Sequence, residues 1–348
     1  MKKTLIALAA VAASSAALAQ SSVTLFGILD VNVRNVKQGG VSQSSLGQDG
    51  TASSRIGFRG VEDLGGGMSA SFWLEGALGP DNGTAGGPAE GALTFQRRST
   101  VSLSGGFGEI RLGRDYTPTF WNHTVYDPFG TNGVGSSINT FTPVGSGAST
   151  TVRADNTIAY FTPNMGGFQG QFQYAFKEVQ DDNAPNEYAG LRLVYASGPL
   201  SVALATASEG AAVTNVNSFK RTNLGASYDF GFIKPMIQYT IGKFETNGGV
   251  DNEVKHLLVG LTAPVGPGLI KASYVRSSYD NVAGDANQFA VGYEYGLSKR
   301  TALYANYARI SNKTGAAFSV STENGAAGAP VTAGDSSRGF EVGIRHSF

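Results

Sequence analysis

Three histidines, His123, His256 and His346, are the only imidazole groups that could act as general bases in this 348-residue chain. Nucleophilic catalysis needs such a base beside a serine or similar group, and a third group to orient the base. No G-x-S-x-G motif lies near His123, and no His/Asp spacing resembles a metal site. Without cysteine, a thiolate metal centre and a disulfide framework are excluded as well. The sequence therefore predicts no enzyme, no metal site and no cofactor.

The composition narrows the class further. Charged residues make up 15% of the chain, well below the roughly 25% of an ordinary soluble domain. Hydrophobic residues reach 41%, which argues against disorder. The formal net charge is zero, and losing Lys2 and Lys3 with an N-terminal signal would leave the chain slightly acidic. This balance gives no support to a nucleic-acid partner.

The N-terminus has the three parts of an export signal. Lys2 and Lys3 form a basic start, residues 5–13 are a short apolar run, and Ala17-Leu18-Ala19 supplies a small-x-small cleavage pattern. Nine apolar residues are too few to cross about 30 Å of hydrocarbon as a helix. We predict a signal peptide at 1–19, cleavage near Ala19, export through the periplasm and one mature domain at 20–348.

The rest of the chain alternates apolar and polar residues with a period of two, which is typical of strands whose faces see different surroundings. In segment 168–176, aromatic residues share one face and glutamines share the other. The last segment, 340–348, alternates Phe340, Val342, Ile344 and Phe348 with more polar residues. Helical periodicity is weak throughout.

Turn signals divide these runs by two kinds of connection. Seven short turns fall at 62–67, 105–108, 163–167, 197–199, 229–231, 264–268 and 296–299. Eight longer polar loops fall at 37–52, 79–93, 115–151, 179–186, 209–218, 244–252, 279–286 and 312–336. Fifteen connections join sixteen strands, with both chain ends on the short-turn side.

This pattern predicts an all-β fold, a 16-stranded antiparallel transmembrane β-barrel. Strands of about ten residues with short turns at one rim and long loops at the other are typical of outer-membrane barrels. Closure follows because lipid offers no hydrogen-bond partners to a free sheet edge. A soluble β-sandwich or β-helix is the alternative, but it does not require the asymmetry of the rims.

The sequence also resembles the general trimeric porins of proteobacteria, particularly their Neisseria- and Burkholderia-like branch. The matching segments span the mature chain and include VTLFGILD at 23–30, SRIGFRGVEDLGGG at 54–67, VSLSGGFGEIRLGR at 101–114, NTIAYFTPNMGGFQG at 156–170, SKRTALYANYA at 298–308 and EVGIRHSF at 341–348. The resemblance implies a homotrimer in the bacterial outer membrane, with the third loop, about 115–151, folded into a water-filled channel. Ions and small hydrophilic solutes would diffuse through it passively.

The resemblance also implies a constriction where that loop faces basic residues of the wall. Asp127 stands in the loop's turn, although the family pattern has an acidic residue where this chain has Phe129. By position in the matching motifs, Arg55, Arg114 and Arg153 correspond to the wall arginines. Strand alternation adds Arg59 and Arg34 as further inward candidates. Arginines in such a passage would favour anions, unless carboxylates such as Asp30, Glu75, Glu294 and Glu341 cancel them.

The sequence also suggests partners for the barrel and alternative roles for its loops. Phe348 ends the last strand and is expected to act as a signal to the barrel-assembly machinery, while outer-membrane lipid and lipopolysaccharide would surround the barrel. Strand alternation places Arg97 and Ser99 on the lipid-facing side of the barrel. Polar residues there suggest that a neighbouring subunit of the trimer covers this face, and a strand bulge is the competing explanation. Loop aromatics could guide a preferred solute, although pinning the loop is the favoured role: Tyr116, Phe120, Trp121, Tyr126 and Phe141. The surface loops could also serve adhesion.

Overall fold

The computed structural model describes residues 22–85, 93–141, 152–178, 187–210, 216–246, 252–280, 284–313, 315–320 and 332–348, so the predicted signal at 1–19 lies outside them. Its strands are β1 (Ser22–Gln38), β2 (Val41–Gln48), β3 (Arg55–Gly65), β4 (Met68–Ala77), β5 (Arg98–Gly105), β6 (Gly108–Tyr116), β7 (Arg153–Phe161), β8 (Phe168–Ala175), β9 (Tyr188–Ser197), β10 (Leu200–Gly210), β11 (Val216–Tyr228), β12 (Lys234–Thr246), β13 (Asn252–Val265), β14 (Gly268–Asp280), β15 (Ala286–Gly296), β16 (Thr301–Asn312) and β17 (Ser337–Ser347). Helix α1 (Pro118–Val125) and a 3-10 helix (Ser137–Thr140) lie between β6 and β7.

All strand pairs are antiparallel, and the sheet closes on itself through β1 and β17. Seventeen segments fill sixteen positions because β2 and β3 share one place beside β1. Residues 31–38 of β1 pair with β2, and residues 22–28 of β1 pair with β3. The predicted 16-stranded antiparallel barrel is therefore confirmed. The expected loop at 37–52 differs in detail, since it contains β2.

The alternation of side chains places the apolar face outward. Leu25, Val101 and Phe289 are each at least half exposed on the outer wall, whereas Asn223 and Gln238 are fully buried on the inner side. Lipid can cover the outer face, and the inner polar groups find partners in the lumen. No helix among the described residues is long and apolar enough to cross a membrane.

The loop between β6 and β7 contains a helix that the weak periodicity did not predict. Thr117 caps α1 by accepting a hydrogen bond from the Phe120 backbone N–H, and Pro118 occupies the first turn, where a missing N–H costs little. The helix ends at Val125, shortly before Pro128. Eight residues give only two turns, too few to produce a visible apolar stripe.

The last residue, Phe348, meets β1 where the barrel closes. Gly27 and Phe348 exchange two backbone hydrogen bonds, and the Phe348 ring covers the space in which a Gly27 side chain would stand. A β-carbon there would also approach the Arg55 carbonyl oxygen to 2.8 Å. A glycine is thus required for this close approach.

We expect Gly27→Ala to destabilise the closed barrel by about 1–3 kcal/mol, the usual cost of overpacking. The measurement is the folded fraction after refolding into detergent micelles over a urea series. Gly106→Ala is the matched control, because a β-carbon at Gly106 meets nothing within 4 Å. Equal folded fractions for the two variants would contradict the proposed closure contact.

Candidate functional site

The third loop, defined here as 117–152 and described over 117–141 and 152, lies against the inner side of the wall. Polar side chains on β9 to β15 and on β17 hydrogen-bond to it, and the contacts from β11, β12, β15 and β17 illustrate the pattern. These contacts join Asn122 Nδ2 to Asn223 Oδ1 at 2.7 Å, Gln238 Nε2 to the Asn122 carbonyl at 3.1 Å, Gln288 Nε2 to the Ser136 carbonyl at 2.9 Å, and the Val134 N–H to Glu341 Oε1 at 3.2 Å. The loop is therefore fixed around the inside of the barrel and narrows the channel.

Wall glycines make room for the bulky residues of this loop. A β-carbon at Gly225 of β11 would collide with the Tyr126 ring, and one at Gly260 of β13 would come 2.5 Å from Pro128 Cγ. At Gly292 of β15 the nearest loop atom is Phe129 Cε1, at 3.1 Å. Phe129 is only 2% exposed, so the residue that departs from the expected acidic pattern packs the loop onto the wall.

Three arginines converge on one carboxylate and one phenol on the remaining arc of the wall. Glu75 Oε1 accepts from Arg97 Nε at 2.7 Å and from Arg55 Nη1 at 3.2 Å. The Tyr116 hydroxyl accepts from Arg97 Nη2 at 3.0 Å and from Arg153 Nη2 at 2.8 Å. We call Arg55, Glu75, Arg97, Tyr116 and Arg153 the arginine cluster.

The members of the cluster carry three guanidinium charges and one carboxylate, and the Asp49 carboxylate lies close enough to interact with Arg55 and Arg97. Further acceptors are neutral: Arg55 Nε donates to the Ser53 carbonyl and Arg153 Nε to the Arg97 carbonyl, each at 2.7 Å. The guanidinium of Arg153 also stacks on the Tyr116 ring, with its carbon 4.4 Å from the ring centroid. Even with Asp49 counted, three guanidinium charges exceed two carboxylates, so this part of the wall keeps a net positive charge that can attract anions.

The other predicted constriction residues have different surroundings. Arg114 pairs with Asp155 at 2.5 Å and follows the outward phase of Leu112. Arg34 is buried and pairs with Glu341 at 2.9 Å. Arg59 lies nearer the short-turn rim, over the rings of Phe26 and Trp73. Of the predicted arginines, Arg55 and Arg153 make hydrogen bonds within the cluster, and Arg114 lies near enough to Arg153 to repel its charge without joining those hydrogen bonds.

Asp127 does not face the open passage. It is 4% exposed and accepts backbone hydrogen bonds from Phe129 at 2.9 Å, Thr131 at 3.1 Å and Ser137 at 3.0 Å. Thr131 has a φ of +60°, an uncommon value for a residue with a β-carbon. Asp127 therefore fixes the fold of the loop, a role that its position in the sequence does not reveal.

The expectation that Arg97 faces lipid under a neighbouring subunit is wrong. Arg97 is 7% exposed and its guanidinium binds Glu75 inside the barrel. The alternation of Val101 and Leu103 does not extend to Arg97, because β5 begins at Arg98. A sequence signal for this position is that Arg97 and Arg98 stand together at the start of β5. Arg98, the first residue of that strand, lies beside Glu75.

The structure joins two histidines that are far apart in the sequence. His123 Nε2 lies 2.9 Å from Ser137 Oγ, His256 Nε2 lies 3.0 Å from the Ser137 carbonyl, and the two ring centroids are 5.2 Å apart. Both rings are fully buried. Asp127 hydrogen-bonds to Ser137 rather than to a histidine, so the orienting contact of a catalytic triad is missing. The described residues contain no group of three or more His, Cys, Asp or Glu that could hold a metal ion.

We expect acid to weaken this histidine contact. Burial lowers the pKa of His123 well below its usual value, and the nearby His256 and Arg221 lower the pKa further. The unfolded chain therefore binds more protons than the folded one as pH falls below about 6.5, and the free energy of unfolding decreases in that range. The measurement is thermal unfolding between pH 7.5 and 5.0, in wild type and in His123→Gln, whose pH dependence should be smaller.

Protonation of Asp127 changes the free energy of unfolding in the opposite direction to that of His123, so Asp127 needs its own control. Burial raises the pKa of Asp127, so its protonation favours the folded state as the solution becomes acidic. Repeating the pH series in Asp127→Asn removes this contribution. Identical pH dependence in wild type and His123→Gln would contradict the role assigned to His123.

Comparison with known proteins gives consistent matches over most of the chain. A family profile described as Gram-negative porin matches residues 4–315. Outer membrane porin protein 32 of Delftia acidovorans is 45% identical, and the major outer membrane protein P.IB of Neisseria meningitidis serogroup B is 28% identical, each with both chains fully covered.

Solved structures share the fold. An anion-selective porin from Comamonas acidovorans has a TM-score of 0.83 and 39% identity, covering 94% of this chain and 100% of its own. OmpT of Vibrio cholerae, in a trimer form, has a TM-score of 0.69 and 18% identity, covering 94% of this chain and 99% of its own. The second similarity supports the barrel fold alone.

Proposed function

We propose, from the premise that this chain belongs to the Gram-negative porin family, that its channel prefers anions and that the arginine cluster provides the preference. The chain is an outer-membrane porin, and its barrel forms a water-filled passage for passive diffusion of ions and small hydrophilic solutes. The proposal concerns which ions pass more readily, and it assigns the protein no catalytic step.

The observation that carries the proposal is the excess of guanidinium groups where the third loop narrows the channel. Arg55 and Arg97 bind Glu75, Arg153 joins them through Tyr116, and all three stand on the arc from β3 to β7, whereas the loop is hydrogen-bonded to strands from β9 to β17. Positive side chains in a narrow passage favour anions. The anion-selective Comamonas porin, with the same fold and 39% identity, supports this assignment.

Other charged groups of the inner wall occur in more nearly balanced sets. On β5 and β6, Asp115 binds Arg111 at 2.6 Å and Arg98 at 3.5 Å, and Glu109 binds Arg111 at 2.8 Å. Elsewhere Glu294 binds both Lys271 and Arg345. Each of these sets holds two cations, whereas the arginine cluster brings three guanidinium groups together.

The test is the reversal potential of the purified porin in a planar lipid bilayer under a KCl gradient. We expect the sign that corresponds to chloride permeating faster than potassium. The potential should approach zero as salt rises, because the Debye length shrinks to about 3 Å at 1 M. A potential with the sign of potassium preference at low salt would overturn the proposal.

We further propose that the porin assembles as a homotrimer after export and cleavage near Ala19. β2 supports a subunit contact: among the described residues it pairs only with β1, and an unpaired strand edge tends to recruit a partner. The outer apolar belt fits outer-membrane lipid and lipopolysaccharide, and the terminal Phe348 fits recognition by the barrel-assembly machinery. Native mass spectrometry tests the trimer, and a dominant monomer would contradict it.

A further inference from the structure

We propose that the mouth of the constriction contains a subsite for aromatic carboxylates, formed by Trp121 together with Tyr116 and the guanidiniums of Arg97 and Arg153. The inference rests on the proposed anion passage and specifies a class of solute for it. It begins from an exposed tryptophan inside the barrel, one of only two in the chain.

Helix α1 presents two different faces. Phe120, Asn122 and His123 are buried, with at most 8% of their surface exposed, while Trp121 is 43% exposed. The helix contacts β8, β9, β10 and β11 from the inside, so the face it leaves uncovered lies toward the channel. Of the loop aromatics, Phe120, Tyr126 and Phe141 are buried and pack the loop, as favoured from the sequence, but Trp121 is not used in this way.

Trp121 lies next to the arginine cluster. Its ring centroid is 5.8 Å from that of Tyr116, and the two planes are inclined by 35°. The Arg153 guanidinium carbon is 4.4 Å from the Tyr116 centroid on which it stacks. The Tyr116 ring therefore has the Trp121 indole and the Arg153 guanidinium as neighbours, which places an apolar ring and a planar donor group around one phenol.

The chemistry matches an aryl carboxylate better than a simple anion. The ring of such a solute can stack on the indole, an arrangement aromatic pairs favour in offset or edge geometry. Its carboxylate can then accept from a guanidinium, whose planar donors fit the two oxygens. An aliphatic carboxylate would gain the charge contact without ring stacking, and a neutral aromatic solute would gain stacking without the charge contact.

The test compares benzoate with cyclohexanecarboxylate, which have the same charge and similar size, as blockers of chloride current through single channels. We expect benzoate to block at a concentration about fivefold lower, because aromatic stacking adds to the shared carboxylate contact. Trp121→Leu should make the two blockers equal, and Arg153→Gln should weaken both. Trp121→Phe should retain part of the benzoate preference, which reports on the aromatic ring rather than on folding.

Val125→Ala is the matched control, since Val125 is on the same helix, is 39% exposed and belongs to neither the cluster nor the proposed subsite. Equal block by the two acids in wild type, or an unchanged benzoate preference in Trp121→Leu, would overturn the subsite. The chloride reversal potential is recorded in the same membranes. Failure of the anion preference appears there, and failure of the subsite appears in the ratio of blocking concentrations.

Discussion

Replacing Arg55, Arg97 and Arg153 together by glutamine is expected to remove the preference for chloride and to favour potassium instead. The variant leaves Glu75 as the charged member of the cluster, and a carboxylate in a narrow passage favours cations. One charge about 4 Å from an ion contributes about 1 kcal/mol even in bulk water. We therefore expect the ratio of chloride to potassium permeability to fall at least about fivefold, measured as the reversal potential under a KCl gradient.

Two variants separate the charge effect from damage to the fold. Arg300→Gln is the matched control, since Arg300 is exposed in the short turn between β15 and β16, and its permeability ratio should equal that of wild type. Adding Glu75→Gln to the triple variant removes the unpaired carboxylate and should give a nearly unselective channel. If Arg300→Gln changes the ratio as much as the triple variant does, the cluster is not the source of selectivity.

Asp127→Ala is expected to loosen the third loop and raise both the conductance and its fluctuations. The substitution removes three backbone hydrogen bonds to a buried carboxylate, those from Phe129, Thr131 and Ser137. Hydrogen bonds to charged groups contribute about 1.5–3 kcal/mol each, so we expect the loop to be destabilised by several kcal/mol. Single-channel current traces measure the effect, because a loop that leaves the wall alternates between narrow and wide passages.

Asp127→Asn distinguishes loss of these bonds from loss of charge. Its amide oxygen can still accept from the Phe129 or Ser137 N–H, so its current noise should lie between those of wild type and Asp127→Ala. A quiet Asp127→Ala channel with wild-type conductance would show that the contacts with Gln238, Gln288 and Glu341 suffice to hold the loop.

The barrel could be predicted from the sequence because each strand meets two unlike environments. Leu25 and Phe289 face outward and Gln238 inward, and this contrast repeats along the chain with a period of two. The turns add the order of the strands, since short and long connections alternate between the rims. The sequence places β2 in a loop because its exposed, serine-rich residues lack an apolar face.

The site was less predictable because it depends on residues outside the regular strands. Arg97 precedes β5, so extending the alternation of that strand wrongly predicts that Arg97 faces lipid. Its contact with Glu75 forms only when the neighbouring strand is folded beside it. Asp127 was visible as a loop carboxylate, but the turn that buries it was not. His123 and His256 are 133 positions apart in the sequence, and only closure of the barrel brings them together. Local patterns carry no information about such pairs.

Anomalous X-ray scattering from crystals soaked in sodium bromide tests most directly whether the arginine cluster is where permeant anions bind. We predict a bromide peak within hydrogen-bonding distance of the Arg97 or Arg153 guanidinium, on the side of the cluster that faces the third loop. The peak should disappear in the triple glutamine variant. A lumen without bromide at the cluster, together with a rubidium peak at Glu75 in crystals soaked in rubidium chloride, would contradict the account.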